Sequence, residues 1–146
     1  GKPAETVSWG NLVHHILSKI SDRTDSERVL EELMSSGTIT GNEKEKLGVL
    51  LTSLFENKEI ADLFENGWEV FTERELIGTD GKSRRPDRIL RKDRSVKIID
   101  FKTGKRSHGH ADQLMEYAGI LEEAGYMVKD LFLLYLSGQP ELVRLN

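Results

Sequence analysis

Asp87, Asp100 and Lys102 are the residues of this chain whose types and spacing suit chemistry. They sit in Arg85-Pro86-Asp87 and, after a short gap, in Ile98-Ile99-Asp100-Phe101-Lys102. The second segment reads as a strand, in which alternate residues share a face, so Asp100 and Lys102 point the same way and Ile99 and Phe101 the opposite way. If Asp87 begins the neighbouring antiparallel strand, its carboxylate approaches that of Asp100. Two such carboxylates repel unless a cation lies between them. Paired hard oxygen anions suit Mg²⁺, and a lysine beside them orients a water or neutralises developing charge, as metal-assisted cleavage of a phosphodiester requires. Two surface aspartates in a hairpin, one of them paired with Lys102, would show the same spacing.

Charge points to the same region. The 146 residues carry a formal net charge of -4, which argues against a general nucleic-acid coat protein. The window from Lys82 to Arg106, however, holds eleven lysines and arginines against three aspartates, about +8 on its own, and leaves the remainder near -12. A solvated, charged hairpin would look similar. Cysteine is absent, which excludes disulfides, thiolate zinc sites and cysteine-ligated iron–sulfur clusters. No apolar run approaches the roughly 20 residues of a membrane span, and no signal peptide is visible, so we expect a cytoplasmic protein that meets no membrane. The start, Gly1-Lys2-Pro3, lacks methionine, and we expect one domain, residues 1–146, excised from a longer protein.

Helices must come first. Trp9, Leu12, Val13, Ile16, Leu17 and Ile20 recur at helical spacing behind a Ser8 cap. Further helices are expected over Asp25–Met34, from about Thr40 through Phe55, and over Glu59–Phe64, the last closed by Asn66-Gly67. The period then changes. Trp68–Leu76, Arg85–Arg91 and Val96–Lys102 read as a meander of three strands with turns at Thr79–Lys82 and Lys92–Ser95. A helix over Gly109–Ala124 stops at Gly125, and strands follow at Leu131–Leu136 and Glu141–Leu145. The plan is an α/β layer structure, residues 1–66 helical and 67–146 a sheet core.

With those elements in place, the motifs resemble a known family. Pro86-Asp87 followed by Asp100-Phe101-Lys102 is similar to the PD-(D/E)XK nuclease core. Asp100-Phe101-Lys102-Thr103-Gly104 closely resembles the signature of RecB-like nucleases, the C-terminal domains of RecB and AddA helicase–nuclease subunits. Gly10-Asn11-Leu12-Val13-His14 matches the family's upstream Gly-x-x-x-His, and Gln113-Leu114-Met115-Glu116-Tyr117 its downstream Gln-x-x-x-Tyr. The resemblance runs from Gly10 to about Leu136.

It implies a restriction-endonuclease-like core, a central mixed sheet of about five strands flanked by helices. It implies an Mg²⁺-dependent deoxyribonuclease, with Mn²⁺ also possible; lacking cysteine, the domain is unlike the family's iron–sulfur branch, and no iron–sulfur cluster is expected. His14, Asp87, Asp100 and the Phe101 backbone carbonyl would hold the metal, with Lys102, Gln113 and Tyr117 completing the catalytic set. His15 points about 100° away from His14 on a helix and should not share its role. Gly10, one turn before His14, is expected to leave room for a ligand or metal. Glu73 is a further ligand candidate, or equally a partner of a neighbouring arginine. Lys105, Arg106, Arg84, Arg85 and Arg88 are expected to track DNA, with His108 and His110 near phosphates. Arg84 stands where the family commonly has glycine. The implied partners are DNA, helicase domains of the same chain and a second helicase–nuclease subunit, in double-strand break repair. A nuclease-like module that binds DNA or protein without cutting is the alternative.

Overall fold

A computed structural model describes residues 8–65 and 67–146. The expectations resting on Gly1 and Asn66 fall outside them. The chain opens with α1 (Trp9–Lys19), where the Ser8 hydroxyl accepts the Asn11 N–H. A 3₁₀ turn capped by Asp22 leads into α2 (Ser26–Ser35). α3 (Gly41–Glu56) starts from a reciprocal Thr40–Glu43 capping box. The expected Glu59–Phe64 helix is a short α4 (Lys58–Ala61) followed by a 3₁₀ turn.

The strands are β1 (Glu69–Thr72), β2 (Leu76–Ile77), β3 (Ser83–Arg84), β4 (Arg88–Lys92), β5 (Ser95–Lys102), β6 (Met127–Tyr135) and β7 (Glu141–Arg144), with α5 (His108–Glu123) between β5 and β6. Among the described residues the central sheet has five strands in the order β1-β4-β5-β6-β7, while β2 and β3 form a separate hairpin. All neighbours in the central sheet are antiparallel except β5 and β6, whose parallel pairing needs the α5 crossover. The mixed sheet with flanking helices and a helical N-terminal part is the expected core.

Strand alternation sorts the side chains. Leu90, Ile99, Phe101 and Leu134 face α1–α4 in one apolar cluster, and Ile89, Ile98, Leu131 and Leu133 face α5 in another. The alternation also sets which face of β5 carries Asp100 and Lys102.

Three strand expectations are corrected; the strand expected at Leu131–Leu136 is β6, which already begins at Met127, where it pairs with the start of β5. The first strand ends at Thr72 and not at Leu76, because Glu73 turns the chain at φ 52°. The second begins at Arg88 and not at Arg85: Pro86 has no N–H to give, and the Asp87 N–H goes to the Asp100 carboxylate instead of the ladder. The start of β4 is thus bent toward the end of β5.

Candidate active site

The two aspartates interlock through the backbone. The Asp87 N–H donates to Asp100 Oδ1 at 2.9 Å, and the Phe101 N–H donates to Asp87 Oδ2 at 2.7 Å. Each carboxylate therefore fixes the strand that carries, or adjoins, the other. Asp100 is 2% exposed. Burial first, and the Asp87 charge second, push its carboxyl up to about 6, against the Asp87 N–H and Lys102, which favour the anion. The Lys102 ammonium lies 3.7 Å from Asp100 Oδ2 and donates to Gln113 Oε1 at 2.9 Å. Gln113, on the first half of α5, thus joins Lys102 to the helix.

His14 closes the group from α1. Its Nδ1 lies 2.9 Å from the Gly10 carbonyl, and its Nε2 lies 2.8 Å from the Phe101 carbonyl and 3.5 Å from Asp87 Oδ2. Every partner is an acceptor, so both ring nitrogens carry hydrogen. The hydrogen bond with Asp87 is the largest cause that pushes this imidazole up to about 9. A positive charge thus stands between a carboxylate and a carbonyl oxygen. Carboxylate, carbonyl and imidazole donors are what a small divalent cation takes, once the imidazole gives up its proton. Among the described residues, no three His, Asp or Glu side chains gather closely enough to hold a metal by themselves. Asp100 Oδ1 accepts the Asp87 N–H, and its Oδ2 lies 3.7 Å from the Lys102 ammonium. The donor chemistry fits a divalent cation, with the Phe101 carbonyl in the set.

Tyr117 is 2% exposed and packs in the apolar cluster under α5. Burial, then the charges of Asp100 and Asp87, push its phenol well above the usual range. Glu73 is exposed in the turn after β1, where its N–H donates to the Asp87 carbonyl at 3.1 Å. Among the described residues, its backbone alone ties it to the site. Arg85 and Lys105 are exposed. Arg106 is exposed too, paired with Glu141 and lying 4.5 Å over the Tyr135 ring. His108 is exposed, and His110 Nδ1 lies 3.4 Å from the Tyr135 hydroxyl.

Two of the expected DNA contacts are corrected. Arg88 is wholly buried: it donates to the Leu63, Ile20 and Ser21 carbonyls at 3.0, 2.6 and 2.6 Å and lies 4.1 Å over the Phe64 ring. A guanidinium so enclosed cannot meet a phosphate. Arg84 pairs with Asp80 at 2.8 Å and with Glu116 of α5 at 2.6 Å, so it straps the β2–β3 hairpin to the helix that carries Gln113. The hairpin passes so closely that a Cβ on Gly78 would come within 2.8 Å of Arg84 Nη1.

The room beside Gly10 also has another use. A Cβ there would lie 2.7 Å from Thr103 Oγ1, so Gly10 admits the loop after Lys102 and not a ligand. Thr103 was missed as a packing partner because its only sequence signal is membership of the Asp-Phe-Lys-Thr-Gly run.

A sequence model described as the PD-(D/E)XK nuclease superfamily matches residues 2–144, and that family generally uses divalent metals. No curated protein matches the chain. Among solved structures, one described as "Crystal structure of SSO0001" is 20% identical at a TM-score of 0.38, covering 100% of this chain and 69% of that one. A likeness that loose carries no argument.

Proposed function

Because the chain belongs to the PD-(D/E)XK nuclease superfamily, we propose that it is a metal-dependent deoxyribonuclease domain of the RecB-like branch. The observation that carries the reading is the meeting of His14, Asp87 and the Phe101 carbonyl at one point, beside Asp100 and a lysine held by Gln113. His14, Asp87, Asp100 and the Phe101 carbonyl would hold Mg²⁺, or Mn²⁺ given one imidazole. When bound, the ion supplies Lewis acidity toward the scissile phosphate and acidifies a water. Asp100 gives the water a charged acceptor nearby. Lys102, kept extended by Gln113, faces the position where phosphate charge grows, and acts there as a preorganised cation. Tyr117, buried under α5 within reach of the Asp100 charge, would keep that side of the site dry. Arg85 and Lys105 give sequence-independent grip on the backbone, weakened by salt.

The order of motifs, from the Gly10–His14 helix to the Gln113–Tyr117 helix, supports the wider reading. It is a cytoplasmic helicase–nuclease that works with helicase domains and a second subunit on double-strand breaks. The test is incubation with linear and circular, single- and double-stranded DNA in Mg²⁺, Mn²⁺ or EDTA. Cutting should need the metal, and Lys102→Ala should slow it by about 10²–10³-fold. Undiminished cutting by Asp100→Ala or Lys102→Ala overturns the mechanism. No cutting under any metal gives the chain to the non-cutting binding module.

A further inference from the structure

On the sheet face that carries Leu90, Ile99 and Phe101, Trp68 packs against the apolar cluster but is only partly buried. Three ammonium groups gather over this ring: Lys97 at 4.8 Å from its centroid, Lys92 at 5.2 Å and Lys129 at 5.9 Å. They come from three adjacent strands, β5, β4 and β6. Lys129 joins them because the β5–β6 ladder slips at this point: Val96 pairs with Val128 but Lys97 with Asp130, so Lys129 is an extra residue. Bulges in parallel ladders are rare, and a bulge re-aims a side chain.

The charges do not cancel locally. Buried Asp130 is shared between Lys97 at 3.7 Å and Arg144 at 2.6 Å. Among the described residues no carboxylate lies within ion-pair distance of Lys92 or Lys129. Like charges held together around an aromatic face complement a polyanion that also carries flat rings. Single-stranded nucleic acid is that partner, with phosphates on ammonium groups and a base against an aromatic platform.

We propose that Trp68 with Lys92, Lys97, Lys129 and Arg144 is a second binding site for single-stranded DNA, separate from the catalytic one. Lys97 precedes Lys102 by five residues and lies on the opposite face of β5, roughly 17 Å away at about 3.4 Å per residue. The site holds the nuclease on a strand between cuts. DNA as the choice of polyanion rests on the function proposed above.

The chain has two tryptophans, so Trp9→Phe leaves Trp68 as the only indole reporter. In EDTA, a thymidine oligonucleotide should quench Trp68. Lys92→Ala/Lys129→Ala, both exposed positions, should weaken binding at least about tenfold and flatten the slope of log affinity against log salt by about 1.4. Cleavage of a very short oligonucleotide by that variant in Mg²⁺ should be unchanged. Absence of quenching, an unchanged affinity and slope, or equal quenching by duplex DNA or a polyglutamate peptide overturns the proposal. Because binding is read without metal, quenching without any cutting in Mg²⁺ would sink the nuclease reading alone. Cutting without quenching would sink this one alone.

Discussion

Asp100 carries a charge that its surroundings resist, and the resistance has a pH signature. Its carboxyl is pushed up to about 6 in the folded chain, so the folded state binds the proton more tightly than the unfolded one. The stability of the metal-free chain therefore rises as pH falls through 6 toward about 4, the ordinary carboxylate range. His14, pushed up to about 9, contributes stability that is fully present below about 6.5 and is lost as pH rises through 9. Both make the metal-free chain weaker toward alkaline pH. Asp100→Asn removes the resisted charge yet keeps an oxygen for the Asp87 N–H. In EDTA at pH 7.5 it should raise the melting temperature by a few degrees and flatten the pH dependence between 4 and 7, while abolishing cleavage. A lower melting temperature than the parent's would contradict the burial argument. The residues of this site were legible in the sequence because a strand's period of two is local: Asp100 and Lys102 had to share a face. The Asp87–Phe101 and Asp87–Asp100 backbone bonds were not legible, since they depend on how two strands diverge.

Between elements, the contact of α1 with the loop after β5 rests on Gly10. Alanine is favoured over glycine in a helix by about 1 kcal/mol, but a Cβ at Gly10 would meet Thr103 Oγ1 at 2.7 Å, and overpacking costs about 1–3 kcal/mol. Thr103 is β-branched and stiff at χ1, so it yields poorly. Gly10→Ala should be destabilising by about 1 kcal/mol. In a Thr103→Ala background the clashing oxygen is gone, the next atom being Cβ at 3.6 Å, and the same substitution should become stabilising. Urea unfolding of the four proteins measures the sign change; its absence would show that helix and loop do not press on each other there. The limits of α1, α2, α3 and α5 lie within a residue or two of those expected, because capping is written locally, as in Ser8 and in the Thr40–Glu43 box. The break after Thr72 escaped, because a non-glycine residue at positive φ leaves no compositional mark at Glu73. The strap from Arg84 to Glu116 escaped for another reason: it joins residues 32 apart in sequence, beyond any local pattern.

Across the whole molecule, the helical part and the sheet meet at Arg88. In sequence it is one of eleven bases between Lys82 and Arg106 and looks like its neighbours. In space it runs from the start of β4 to the carbonyls of Ile20 and Ser21, just past α1, and of Leu63, in the 3₁₀ turn after α4. A cation at a helix C-terminus is favoured by the helix dipole, and here it also ties α1, which carries His14, to the strand that follows Asp87. Burial holds its pKa down to about 10, still far above neutrality, so the group stays charged. Charged hydrogen bonds contribute about 1.5–3 kcal/mol each and do not simply add. Arg88→Met keeps the stem volume but leaves three carbonyls without their donor. It should lower the unfolding free energy by at least about 3 kcal/mol, read as a lower urea midpoint at unchanged slope. Arg85→Met, three residues earlier and exposed, should cost less than about 0.5 kcal/mol and instead weaken binding of DNA. If the two variants proved equal in stability and equal in lost DNA affinity, Arg88 would belong to the nucleic-acid face after all, and the joint between helices and sheet would have to be sought elsewhere.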